Sequence, residues 1–155
     1  MNFAQSIEIG AAAERRAIDA FLDAGWCCIG HGLAQVGRTQ LPLITRAGQK
    51  PSTDFCVFKK GDSLFVEVKS KEPLQRGGFG LDAAQWESLL DHDSFTPGRV
   101  LLVVEDRHAD ELLVAPVKTL KGAADWSLDG RYAIFPYEVF RPLAVFLKGW
   151  EEWTI

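Results

Sequence analysis

The sequence lacks any apolar run long enough to cross a membrane. A spanning helix needs roughly 18 consecutive apolar residues, and no such run occurs, although apolar residues make up 47% of the 155 residues. A secretory leader is not expected, because residues 1–16 contain Glu8 and Glu14 and no basic segment ahead of an apolar stretch. We therefore expect a cytoplasmic protein with no membrane partner. The length predicts a single domain over residues 1–155.

Cysteine is scarce. Cys27, Cys28 and Cys56 are the three cysteines, and they form no CxxC spacing. An odd number of cysteines without that spacing argues against both a zinc site and a disulfide framework. Small buried thiols in a reducing compartment are the expectation. Internal repeats and low-complexity segments are absent as well.

An overall positive charge is also missing, since the formal net charge is −4. The charge is unevenly distributed, however: residues 31–80 carry eight Lys or Arg against four Asp or Glu. A locally basic region can neutralise phosphates in spite of an acidic total. The other interpretation of this region is an ordinary solvated surface.

The first recognisable element is a helix over Gln5–Ala24, rich in good helix formers and followed by Gly25. Its apolar face is expected at Ile18, Phe21 and Leu22. Glu14 lies four residues before Ile18, on or beside that face. It can be a ligand near a metal site or an ordinary flank residue paired with an arginine.

Further elements follow from periodicity and turn residues. Gln85 lies four residues before Leu89 in a predicted helix, so its amide is expected to face the core side of that helix. The run at 99–105 is a continuous apolar segment between Arg99 and Glu105, as in a strand buried on both faces. The residues after Leu120 are expected to pack across one side of the sheet. The predicted elements are a strand at Trp26–Ile29, a loop at 31–50 with an extended piece at Leu41–Thr45 and a lone structural His31, a loop at Lys71–Gly80, a helix at Leu81–His92, a strand pair at Arg99–Glu105 and Glu111–Ala115, and a short helix at Val117–Leu120.

A hairpin at the centre of the chain carries the chemistry. Strands near Asp54–Lys59 and Ser63–Ser70 flank Lys60-Gly61, and a two-residue loop ending in glycine favours a tight turn. In this register Asp54 lies opposite Glu67. Like charges opposite one another in a sheet repel. Such a pair therefore predicts a bound cation.

Two hard oxygen ligands suit Mg²⁺ or Mn²⁺, and the backbone carbonyl of Val68 is a candidate third ligand. Lys69 falls on the same strand face as Glu67. Lys69 can help position or deprotonate a metal-bound water molecule, or stabilise charge on a phosphate in the transition state. Together these groups suit phosphodiester hydrolysis.

The pattern Pro51-x-x-Asp54, twelve intervening residues, then Glu67-Val68-Lys69 resembles the signature of the PD-(D/E)xK nuclease superfamily, which includes restriction endonucleases and archaeal Holliday junction resolvases. The order of predicted elements is similar to the αβββαβ core of that superfamily over about residues 8–105, with residues 106–155 as a C-terminal extension. The resemblance implies an α/β fold with a mixed central sheet flanked by helices, and a nuclease that hydrolyses DNA with Mg²⁺ or Mn²⁺.

The resemblance also implies roles for individual residues. Asp54 and Glu67 would hold metal, Lys69 would be the catalytic lysine, Glu14 would match the first-helix acid of some branches, and Gln85 a polar residue on the helix after the motif. Two features depart from the pattern. Pro51 precedes Asp54 by three residues, and Leu89 stands where the recombination-exonuclease branch has a tyrosine, so that branch is not assigned.

Two other functions stay open. One is a module of the same fold that binds nucleic acid without cleaving it. The other is a protein-interaction domain in which tryptophans serve the interface; the candidates are Trp86, Trp126, Trp150 and Trp153. By analogy with other small enzymes that embrace a duplex, a homodimer is a further expectation.

Overall fold

The computed structural model describes residues 1–30 and 43–150. The expectations for His31, for the loop up to residue 42 and for Trp153 lie outside these ranges. In the described ranges, no helix is long and apolar enough to span a membrane.

The first helix, α1, spans Phe3–Asp23 and begins and ends on recognisable caps. Asn2 and Gln5 form a capping box, in which each side chain accepts a hydrogen bond from the other residue's backbone N–H. At the C-terminus Gly25 has φ +86°, and the Gly25 and Trp26 N–H groups donate to Leu22 and Phe21. This is a Schellman motif, which needs a residue that tolerates positive φ.

The buried face of α1 differs from the predicted one in one residue. Leu22 is 48% exposed, so its place on the apolar face was wrong. Ala17 and Ala13, about one and two turns before Phe21, complete the buried stripe. Their small side chains let the helix approach the sheet closely. The buried residues of α1 are Ala13, Ala17, Ile18 and Phe21.

The central sheet has six strands in the order β1-β4-β5-β7-β8-β11, in which β5 and β7 are parallel and the other pairs antiparallel. A three-stranded sheet, β6-β10-β9, and the hairpin β2-β3 complete the strands. Their bounds are β1 Cys27–Ile29, β2 Leu43–Thr45, β3 Gly48–Lys50, β4 Phe55–Lys59, β5 Asp62–Lys71, β6 Phe79–Asp82, β7 Val100–Asp106, β8 Glu111–Pro116, β9 Asp125–Trp126, β10 Tyr132–Phe135 and β11 Arg141–Pro142.

Helices cover both faces of the central sheet. The remaining helices are α2 Ala83–Phe95, α3 Val117–Lys121 and α4 Leu143–Lys148, and Tyr137–Val139 forms a 3-10 turn. One core layer joins α1 and α4 to one face, and the other joins α2, α3 and the small sheet to the opposite face. Strand β5 serves both, since Leu64 and Val66 face α1 while Phe65 packs toward α2. The predicted mixed sheet flanked by helices is confirmed.

The hairpin register agrees with the prediction. Lys60 and Gly61 both have positive φ, at 49° and 86°, which is the conformation of a type I′ turn. Lys59 lies opposite Asp62 and Phe55 opposite Val66. The strand begins at Phe55, one residue later than expected, with Asp54 just outside it.

Several boundaries differ from the predicted ones. Residues Leu81 and Asp82 belong to β6 rather than to the second helix, and Asp82 caps α2 by accepting from the Ala84 N–H at 2.9 Å. The predicted loop at Lys71–Gly80 therefore includes strand residues at both ends. In the loop predicted for residues 31–50, the described part forms the hairpin β2-β3. The fully buried strand β7, its pairing with β8 and the short helix α3 are confirmed.

Two expectations were wrong. None of the cysteines is buried: Cys27 is exposed, and Cys28 and Cys56 are half-buried and free. Strand β1 has a single neighbour, β4, so its edge position leaves the thiols of Cys27 and Cys28 partly open. The C-terminal region does not pack on one side only, because α4 joins the α1 layer while β10 joins the α2 layer. Division into a single domain stays a prediction.

Candidate active site

Asp54 is fixed by the backbone of the neighbouring strand. Its Oδ2 accepts a hydrogen bond from the Val68 N–H at 2.7 Å. Counting on from Phe55 opposite Val66 places Val68 beyond the last paired residue of β4. The carboxylate thus takes the place of a missing strand acceptor. A residue in a β-ladder directs its N–H and C=O to the same edge, so the Val68 carbonyl faces the Asp54 side as well.

Glu67 and Lys69 alternate with the buried residues of β5 and lie on the α2 face. Lys69 Nζ lies 2.6 Å from Glu67 Oε1. Only 14% of the Glu67 side chain and 23% of the Lys69 side chain are exposed. The predicted grouping of Asp54, Glu67 and Lys69 is therefore present in the structure.

The surroundings of Glu67 oppose its ionisation. Burial first, and then the negative charge of Asp54, raise the pKa of Glu67 to about 7, although Lys69 acts in the opposite direction. A carboxyl group near a second carboxylate gains affinity for a proton or for another cation. This position is therefore suited to a positively charged ligand.

The surroundings of Lys69, in contrast, favour its charged form. Burial alone would lower its pKa, but the charge and hydrogen bond of Glu67 and the charge of Asp54 outweigh that effect and raise the pKa of Lys69. The side chain therefore carries its proton at neutral pH. In this state it donates hydrogen bonds and positive charge and does not accept a proton.

Two open depressions meet at these residues. A cavity of about 250 Å³ extends along residues 51–54 and along α2 from Gln85 to His92. A larger groove of about 650 Å³ runs between the N-terminal half of α1 and the ends of the central strands. Asp54, Lys69 and Gln85 line both. The candidate catalytic groups thus lie where one depression passes into the other.

Gln85 lies in the first turn of α2 and is exposed, with Trp86 and Leu89 forming the buried stripe. The prediction that its amide turns toward the core side was wrong, because Gln85 lies on the exposed first turn and lines the two open depressions instead. Its position beside Asp54 and Lys69 nevertheless allows the amide to reach a group bound above them.

Glu14 approaches from the other face of the sheet. It is half-buried on α1 and lines the larger groove. Its charge also contributes, after burial and the influence of Cys56, to raising the pKa of Cys28 to about 11. Across residues 1–30 and 43–150, no three His, Cys, Asp or Glu side chains are grouped closely enough to hold a metal ion. The metal-binding role of Glu14 stays a prediction.

Sequence reasoning missed three polar residues near the site. His92 is buried, and its Nε2 lies 3.4 Å from Ser52 Oγ in the smaller cavity. Burial lowers the pKa of His92, so the ring is neutral at pH 7. Lys71 and Arg107 line the larger groove. Lys71 continues the alternation of Glu67 and Lys69, a signal that the sequence contains.

The oxygen donors fit a small divalent cation. Asp54 supplies a carboxylate whose position is set by the Val68 N–H, Glu67 supplies a desolvated carboxyl group, and the Val68 carbonyl lies on the same edge. Mg²⁺ and Mn²⁺ prefer such oxygen ligands and retain waters at their other positions. Two side chains and one carbonyl can therefore hold such an ion without Glu14.

No protein-family model matches this chain, and neither does any curated protein. Solved structures do match. Hjc, a Holliday junction resolvase from the archaeal hyperthermophile Archaeoglobus fulgidus, is similar with a TM-score of 0.60 and 16% identity, covering 89% of this chain and 99% of the resolvase. D212, a nuclease from a fusselovirus, is similar with a TM-score of 0.49 and 10% identity, covering 100% of this chain and 97% of D212. The likeness to the resolvase confirms the predicted fold, a mixed sheet flanked by helices.

Proposed function

We propose that this protein is a nuclease that hydrolyses DNA phosphodiester bonds with Mg²⁺ or Mn²⁺. The observation that carries the proposal is the grouping of Asp54, Glu67 and Lys69 at the junction of two open depressions. The similar fold of a Holliday junction resolvase makes DNA the first substrate to test.

Each residue has a distinct role in this proposal. Asp54, Glu67 and the Val68 carbonyl would hold the ion, which when bound would polarise a phosphate oxygen and increase the acidity of water. Lys69, protonated and held by Glu67, places positive charge where charge develops on the phosphate. Gln85 donates from its amide to the substrate, and the expected role of Glu14 is to assist from the α1 side.

Cleavage by the purified protein tests the proposal directly. Labelled duplex, single-stranded and four-way-junction DNA are incubated with Mg²⁺, with Mn²⁺ or with EDTA. We expect metal-dependent products from the wild type, a loss of cleavage in Asp54→Ala and Lys69→Ala, and no change in Lys118→Ala, which alters an exposed lysine on α3. Equal residual activity in the wild type and both site variants would refute the nuclease.

A protein-interaction module is the second candidate. Its support is the small sheet, where Trp126, Leu128 and Tyr132 are exposed. The other tryptophans expected at an interface are placed differently from Trp126: Trp86 is buried, and Trp150 packs on Trp26. A protein partner whose binding is independent of salt, with no affinity for DNA, would favour this function. A homodimer and a cytoplasmic location stay predictions.

A further inference from the structure

Two cations continue the site beyond Lys69. Lys71 is the last residue of β5, and Arg107 directly follows β7. The Arg107 N–H donates to the Lys71 carbonyl at 3.0 Å, which holds the two residues side by side at the end of the parallel pair. Both side chains line the larger groove together with Lys69. The sheet therefore presents a row of positive charge along one wall of the groove.

The negative groups nearby neutralise this row only in part, through the ion pair of Glu67 with Lys69 at one end and the approach of Glu72 to Arg107 at the other. Among the residues that the structure describes, no carboxylate lies within 4.0 Å of the Lys71 ammonium group. The charge of Asp82 reaches Lys71, but that carboxylate caps α2. Glu72 Oε1 lies 3.5 Å from Arg107 Nε without forming a hydrogen bond, and the Glu72 side chain is 64% exposed.

Lys71 and Arg107 are also partly removed from water. Burial first, and then the positive charges of Lys69 and Arg107, lower the pKa of Lys71. Arg107 Nε is buried and, within residues 1–30 and 43–150, has no hydrogen-bond partner. Half-buried cations that repel one another are stabilised by an anion bound between them.

The opposite wall of the groove leaves room for a nucleic acid strand. It is formed by α1, where Ser6, Gly10 and Ala11 are small and carry no charge. A Cβ atom added at Gly10 would meet nothing within 4 Å. Glu14 is the acidic residue of this wall, and its charge acts on Cys28 of β1, the strand that pairs with β4 beside Asp54. The remaining length of the groove is thus basic on one side and neutral on the other.

We infer that Lys71 and Arg107 bind a DNA phosphate that flanks the cleaved one, so that the strand passes from the smaller cavity over Asp54 and Lys69 into the groove beside α1. The inference rests on the proposed function, because it needs a DNA strand in the site. Lys71 and Arg107 are positioning residues in this arrangement, since neither touches the reacting phosphate. They set the register of the substrate relative to Lys69.

Binding without cleavage tests the inference. All variants are made in the Asp54→Asn background and titrated with a fluorescent DNA duplex across a salt series. The logarithm of the DNA affinity falls linearly with the logarithm of the salt concentration, and loss of one phosphate contact makes this slope shallower by about 0.9. At about 0.1 M salt the same loss lowers the affinity about 5- to 10-fold. We expect this change in Lys71→Gln, a recovery in Lys71→Arg, and unchanged binding in Lys118→Gln, the matched exposed lysine on α3.

A phosphate scan then locates the contact. Single methylphosphonates, which remove the charge of one phosphate, are placed on either side of the cleavage position mapped with the wild type. One flanking substitution should weaken binding when Lys71 is present and have no effect in Lys71→Gln. Two results would overturn the inference while leaving the nuclease intact, provided that the wild type cleaves DNA. One is unchanged DNA binding in Lys71→Gln. The other is a methylphosphonate effect that depends on Lys71 but occurs at a phosphate remote from the cleavage position. DNA that binds neither the wild type nor the Asp54→Asn protein would overturn both.

Discussion

Asp54→Asn should make the metal-free protein more stable at high pH relative to the wild type. In the wild type, Asp54 Oδ2 accepts a hydrogen bond from the Val68 N–H at 2.7 Å. The asparagine keeps an oxygen that can accept this bond, and it removes the negative charge that faces Glu67. Active-site groups that repel one another reduce stability in exchange for function. The affected quantity is the free energy of unfolding as a function of pH.

The magnitude follows from the pKa of Glu67. Its rise from 4.5 to about 7 corresponds to about 3 kcal/mol in the ionised state. Burial is the larger cause and Asp54 the second, so removal of the Asp54 charge should recover about 1 kcal/mol.

The sign follows from proton binding. Between pH 4.5 and about 7 the folded protein holds a proton on Glu67 that the unfolded chain releases. The Glu67 contribution is therefore fully present below that window and is lost as the pH rises through it. The variant loses less of this contribution. The attraction between Asp54 and Lys69 disappears at every pH in this range, so it cancels when two pH values are compared.

Urea unfolding in EDTA at about pH 5 and about pH 8 provides the measurement. Stability of Asp54→Asn relative to the wild type should rise by about 1 kcal/mol between the two conditions. Asp19→Asn, which removes an exposed carboxylate from α1, is the control and should show no such pH dependence. A relative stability of Asp54→Asn that is the same at both pH values would refute the repulsion between Asp54 and Glu67.

Three further predictions concern catalysis and the fold. Lys69→Met should lower the single-turnover cleavage rate about 10²- to 10³-fold while changing DNA affinity only a few-fold, because the charge acts in the transition state; parallel losses in both would contradict that role. Gly61→Ala should reduce stability by about 1 kcal/mol, since Gly61 has φ +86°, whereas Gly10→Ala inside α1 should increase it by about 0.5–1 kcal/mol; equal effects in urea titrations would contradict this. Phe21→Ala should lower stability by about 3–5 kcal/mol because Phe21 is fully buried, and the partly exposed Phe58→Ala by much less in the same titration.

Local rules accounted for the centre of the site. The two-residue turn at Lys60-Gly61 sets the register of the hairpin, and the register alone brings Asp54 beside Glu67. Alternation along one strand then places Lys69 with them. These relations involve residues that are close in sequence, so turn chemistry and strand periodicity suffice to predict them.

Relations between distant segments were not accessible in the same way. Which face α1 covers, and therefore from which side Glu14 approaches, depends on how the helix packs on the sheet. The start of α2 is set by β6, whose partner β10 follows it by about fifty residues. The C-terminal region was placed incorrectly for the same reason, because β10 and α4 each find a different layer. Such pairings leave no periodic signal in the segments themselves.

The unequal lengths of β4 and β5 explain why the site lies where it does. Strand β5 has 10 residues and β4 has 5, so the pairing ends at Phe55 and Val66 while β5 continues beside β7. Backbone groups of Val68 that face the β4 side have lost their strand partner there, and Asp54 satisfies the N–H. The same opening leaves room for an ion and a phosphate beside Glu67 and Lys69. A change that extended β4 past Asp54 would therefore close the site even if every proposed catalytic residue were kept.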